Sequence, residues 1–203
     1  LLLGILTLVF LLGEGLLAAY FGVRLHALSL PGLRAGSIIQ AISALGVLQM
    51  LVRNRQAPGG NRVLVERTSL RITAGCFYAL ALLLLVSSIL SMVHLRQPIS
   101  TLAGLAIALF GILGLWVLFF AKMRLGKKSG FTPILADARY NLYALLASLL
   151  ILLSSVLWWI FGIPYVDVVG FLGLAYLSAR EGKVTWANAK THLRYRPQAR
   201  GQA

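Results

Sequence analysis

Residues 134–148 read ILADARYNLYALLAS, and within them Asp137, Tyr140, Asn141, Ala144 and Ser148 recur at offsets of 0, 3, 4, 7 and 11. On a helix of 3.6 residues per turn those positions share one face. A second stretch offers Gly36, Ser37, Gln40 and Ser43 at comparable spacing. Two small-and-polar stripes facing each other would form either an intramembrane binding site or a close helix seam. The chemistry available to them is cation binding, with Asp137 as the charged group and Gln40, Asn141, Tyr140 and Ser37 as neutral donors. Asp137 also has a structural reading: near the start of its helix, a carboxylate complements the dipole and caps free amides. Arg139 can reach the headgroups or pair with Asp137 or Glu14. Glu14, deep in the first apolar run, is a candidate proton relay, cation ligand or arginine partner. Charged side chains inside a membrane span cost about 2.5–3.5 kcal/mol on insertion scales, so each one calls for a function or a partner.

The elements that must position these residues follow from composition. Of 203 residues, 59% are hydrophobic and 12% charged, too little polarity to cover a soluble domain. Several apolar runs reach the roughly 20 residues that cross the hydrocarbon core as a helix. They are continuously apolar, without the alternation of a transmembrane barrel. The expected fold is all-α, an integral membrane bundle of six helices at roughly 1–22, 32–52, 70–93, 100–121, 135–161 and 165–180. Residues 1–180 form the transmembrane domain and 181–203 a basic cytoplasmic tail. Leu1–Gly22 has no small-residue cleavage pattern and reads as a span, not a signal peptide. Pro31, Pro58, Gly59, Gly60, Pro98, Gly126, Gly130 and Pro164 fall in the connections, where helix breakers belong.

Lys and Arg set the orientation, since they stay preferentially in cytoplasmic loops. The second-to-third connection carries Arg53, Arg55, Arg62, Arg67 and Arg71, and the fourth-to-fifth carries Lys122, Arg124, Lys127 and Lys128. The tail adds Arg180, Lys183, Lys190, Arg194, Arg196 and Arg200, whereas the opposite connections hold Arg24, Arg34 and Arg96. Both termini are therefore expected in the cytoplasm, with the protein in the plasma (inner) membrane. Trp158, Trp159 and Tyr165 match an aromatic belt at the outer interface. The basic tail near Trp186 and Tyr195 is read first as a positive-inside anchor, with contact to anionic headgroups as the alternative.

The formal charge of +14 does not gather on a soluble module with interleaved aromatics, so nucleic acid is not an expected partner; the lipid bilayer is. No HExxH, GxSxG or GxxxxGK[ST] is present, and the five acids offer few pairs for acid–base work, so neither an enzyme nor a cofactor is expected. Cys76 reads as a packing residue and Asp167 as a helix cap. His26, His94 and His192 fall outside the mid-membrane region. Gly32 with Gly36, and Gly170 with Gly173, permit close helix approach. Ser87, Ser88 and Ser91 are expected to bond locally to backbone.

ADA, two residues, N, then LLASLL in the fifth span, with IPYVDVVGFLGLAYL as the sixth and VERTSLRITAGCFYALALLLLVSSI as the third, resembles the membrane domain of the cation diffusion facilitator family. The resemblance covers nearly the whole chain and is nearest to the shorter branch without a large cytoplasmic domain. It implies a homodimer with six spans per subunit that exports divalent metal cations in exchange for protons. The family's transport site uses carboxylate and imidazole pairs on the second and fifth spans. Here those positions fall on Gly36 and Gln40, and on Tyr140 and Ala144, none of them a carboxylate or imidazole. A divalent ion stripped of water needs several strong donors. Two expectations therefore stand side by side. One is a divergent transporter with a site rebuilt around Asp137, Gln40, Asn141, Tyr140 and Ser37. The other is a non-transporting relative serving as a structural or regulatory membrane partner.

Overall fold

Lipid offers the backbone no hydrogen-bond partners, so an apolar chain entering it must satisfy its own amides, and it does so as helix. The structure, a computed structural model, describes residues 5, 7–11, 13, 16, 30–56, 62–94, 102–162 and 166–191; at 30–35, 55, 56, 62, 93, 94, 102–108, 158 and 167 it describes the backbone alone. Among the described residues from 30 onward five helices follow in order: α1 Leu30–Gln56, α2 Arg62–His94, α3 Leu102–Ser129, α4 Thr132–Phe161 and α5 Val166–Thr191. They contain the second to sixth expected spans. The first expected span lies largely outside the described residues, but Phe10 belongs to it, and its ring sits 5.8 Å from that of Phe110 in α3.

Among the described residues, four segments are long and apolar enough to cross a membrane: Gly36–Asn54, Val63–Met92, Leu109–Ser129 and Thr132–Phe161. The described residues are thus helical apart from short turns, with no strand among them, and the chain is a membrane-embedded protein. α5 is not among the four, because its apolar stretch ends at Arg180 and Glu181. Three helices outrun the expected spans; α3 continues past 121 to Ser129, so Lys122, Arg124, Gly126, Lys127 and Lys128, expected in a connection, are helical. α2 begins at Arg62 and not near residue 70, and α5 continues past 180 to Thr191. Apolarity marks where a helix meets lipid, not where its hydrogen bonding stops, and neither 62–70 nor 180–191 contains a proline. The first eleven residues of the expected tail are therefore helix; residues 192–203 lie outside the described set.

α4 touches each of the other four helices, whereas α3 packs on α4 alone among them. α2 pairs most extensively with α5 and also meets α1 and α4. The main core joins Phe77, Leu80 and Leu84 of α2, Tyr140 of α4, and Phe171 and Leu174 of α5. Smaller clusters tie α1 to α4 through Val47, Met50 and Ile134, and α3 to α4 through Ile112, Leu115 and Leu145.

Small residues permit these approaches. A Cβ at Gly182 would lie 3.1 Å from Phe77 Cβ and 3.4 Å from the Ala74 carbonyl oxygen, and one at Gly170 would lie 2.8 Å from the Leu150 side chain. Gly173, expected to share the second role, meets nothing within 4 Å. Gly36 is in ordinary contact with Leu83, and the side of Gly32 lies outside the description. The α3–α4 hairpin turns at Gly130, whose φ of 67° suits a residue without Cβ and whose amide closes on the Gly126 carbonyl at 3.0 Å.

Candidate functional site

Thr132–Pro133 opens α4, with proline early in the helix where its missing amide costs nothing. Asp137 follows in the second turn, beyond the first-turn position a capping carboxylate would occupy, and α4 has no acidic residue in its first turn. The carboxylate bonds sideways to neighbouring helices. Lys122 Nζ of α3 lies 2.7 Å from Asp137 Oδ2, with side chains 5% and 1% exposed. Ser43 of α1 donates its hydroxyl to Asp137 Oδ1 at 2.7 Å. Ser43 Oγ is also 3.3 Å from Thr73 Oγ1 of α2. A hydroxyl has one proton, so with Ser43 committed to the carboxylate, the Thr73 contact is completed by the Thr73 proton.

One turn further along α4, Asn141 Oδ1 accepts from Gln40 Nε2 at 2.8 Å. The two stripes read from sequence do meet, through Asp137 with Ser43 and Asn141 with Gln40. What results is a polar layer in which α1 and α3 reach the α4 carboxylate directly and α2 reaches it through Ser43. Two buried groups on this stretch of α4 keep unused capacity. Asn141 Nδ2 and the Tyr140 hydroxyl make no hydrogen bond, although both residues are fully buried. The Lys122–Asp137 contact is an ion pair without aligned hydrogen-bond geometry, so the ammonium has no further acceptor.

The remaining expected residues are dispersed. Tyr140 turns toward the α2–α5 core, its ring 5.4 Å from that of Phe77. Ala144 packs with the Ile112–Leu115–Leu145 cluster, and Ser148 donates to the Ala144 carbonyl. Ser37 is buried one turn before Gln40. Arg139 does not pair with Asp137: two positions along a helix is about 200° of rotation, and Arg139 bonds instead to Glu181 of α5. The Glu14 and Asp167 side chains lie outside the described residues, as do those of His26, His94 and His192. Ser88 bonds to the Leu84 carbonyl as expected of a local contact.

Lys122 and Thr73 complete the layer, and neither was expected there. Lys122 reads as a loop cation, one more positive charge on the cytoplasmic side. Its signal was nevertheless present: Ile112, Leu115, Leu118, Lys122 and Gly126 recur at spacings of three and four, and all are buried. Thr73 carried no comparable mark.

The layer's charges cancel. One carboxylate faces one ammonium, and hydroxyls and amides fill the rest. Among the described residues, no three of His, Cys, Asp and Glu come together as metal ligands. Such an arrangement can hold a singly charged cation or tie helices together; it lacks the donors for zinc. No model of a known protein family matches the chain, and no curated protein matches it significantly.

Proposed function

We propose that the chain is a divergent cation-efflux-type membrane transporter. In this reading it has six spans per subunit and both termini on the cytoplasmic side of the plasma (inner) membrane. It works as a homodimer, and its site is rebuilt around Asp137, Gln40, Asn141 and Tyr140, with Ser37 one turn away. The observation that carries it is the position of Asp137: a buried carboxylate reached by side chains from two other helices, Lys122 of α3 and Ser43 of α1, with Thr73 of α2 bonded to Ser43 behind it. An acid so placed inside a membrane bundle is where a passing cation would be held.

A second reading has its own support. The ammonium of Lys122 already neutralises Asp137, which favours a non-transporting protein that keeps the bundle and acts as a structural or regulatory partner of another membrane protein. Flux into proteoliposomes separates the two, with zinc, manganese, iron, cobalt, sodium and protons tested in turn. Cation-dependent flux that disappears in D137A supports transport. Absence of flux for every cation, together with stable co-purification of a second membrane protein, supports the scaffold.

A further inference from the structure

A carboxylate buried at 1% exposure is unstable as a lone charge, and the group that stabilises it here is a lysine ammonium carried on a four-carbon stem. An ammonium is a compact, monovalent, oxygen-seeking cation. The groups gathered on that carboxylate are oxygens: Ser43 Oγ lies 2.7 Å from Asp137 Oδ1, and Thr73 Oγ1 lies 3.3 Å from Ser43 Oγ, each hydroxyl keeping a lone pair after its proton is donated. Oxygen donors of this kind suit hard cations. One negative charge balances one positive charge.

We infer that Lys122 is a tethered cation occupying a monovalent, oxygen-liganded cation site centred on Asp137, and that a free alkali cation of the sodium class competes with it for that carboxylate. The inference rests on the transport reading and narrows its substrate class from cations in general to singly charged hard ones. Lys122 is eight residues from the hairpin glycine Gly130, so about two helical turns separate its backbone from the basic end of the bundle. A lysine stem is long enough to draw its charge from the layer toward that end. The Tyr140 hydroxyl, three residues along α4 from Asp137, is fully buried and makes no hydrogen bond, so a further oxygen of α4 keeps unused capacity.

The test uses the full chain purified in detergent, with thermal unfolding and 22Na binding followed against sodium chloride or choline chloride at constant ionic strength. K122M is expected to show saturable sodium binding and a sodium-dependent rise in its midpoint. The wild type should need at least tenfold more sodium for the same effect, and K122M/D137N should show none. Folded K122M without a saturable sodium response overturns the inference, as does an equal response in K122M/D137N. If K122M aggregates in choline, recovery of monodisperse protein in sodium supports the site, and aggregation in both salts overturns it. Tighter binding of zinc or calcium than sodium by K122M also overturns the monovalent assignment. Wild-type flux failing while K122M still binds sodium would remove the transport reading and leave the site standing.

Discussion

Gln40 and Asn141, 101 positions apart in the chain, are joined by a single 2.8 Å hydrogen bond that fixes the register of α1 against α4. Both amides are buried, so deleting one leaves the other without its partner. Such a loss costs about 1–3 kcal/mol, more than the net gain of forming the bond. Q40L and N141L are each expected to destabilise the protein by that amount in denaturant titrations in micelles. The double variant Q40L/N141L should recover most of the loss, and an additive double variant would falsify the coupling.

The Lys122–Asp137 pair behaves by the same logic with larger numbers. Removing one member of a buried ion pair leaves an uncompensated charge, at about 3–5 kcal/mol, whereas replacing both by apolar or neutral groups is often neutral. In choline buffer, K122M and D137N are each expected to lose stability on that scale, and K122M/D137N to approach the wild type. Three equal losses would show that the pair is not coupled.

Arg139 and Glu181 provide the contrast. Arg139 is 52% exposed, so solvent and salt screen the bridge it makes from α4 to α5. Exposed pairs contribute about 0–1 kcal/mol. R139A should therefore shift the unfolding midpoint only slightly, and the shift should shrink as salt is raised. A loss as large as that of D137N would refute this ranking.

Two glycines of α5 should respond oppositely to alanine. At Gly173 nothing lies within 4 Å of the new methyl, so G173A should gain up to about 1 kcal/mol from helix propensity. At Gly182 the methyl meets Phe77 Cβ at 3.1 Å and the Ala74 carbonyl at 3.4 Å, neither the free end of a flexible side chain. Overpacking of this kind costs about 1–3 kcal/mol, so G182A should be less stable than wild type. Equal effects at the two positions would contradict the described α2–α5 contact.

Much of this architecture was legible in the sequence, and the reasons for what was missed are physical. Runs of apolar residues located α1 to α4 because lipid enforces both length and composition. The same rule underestimated α2, α3 and α5, whose helices continue into polar sequence to Arg62, Ser129 and Thr191, where apolarity is no guide. The polar stripes gave Gln40, Ser43, Asp137 and Asn141 correctly as neighbours, since helical spacing fixes which residues share a face. Spacing within one segment cannot reveal which partner arrives from another. Lys122 was therefore counted by its charge as a loop residue, although its position on the stripe through Leu115, Leu118 and Gly126 placed it inside.

The short hairpin at Gly130 also has a bearing on biogenesis. It links the lysine-bearing helix directly to the aspartate-bearing one, with only Gly130 and Phe131 between them. Either helix alone would carry Lys122 or Asp137 unmatched into lipid, whereas the two entering together bring those buried charges in as a pair. A nascent chain truncated after α3 is accordingly expected to insert less completely than one truncated after α4, as glycosylation mapping during synthesis would register. The ion pair thus makes the hairpin, not the single helix, the unit that the insertion machinery must release into the bilayer.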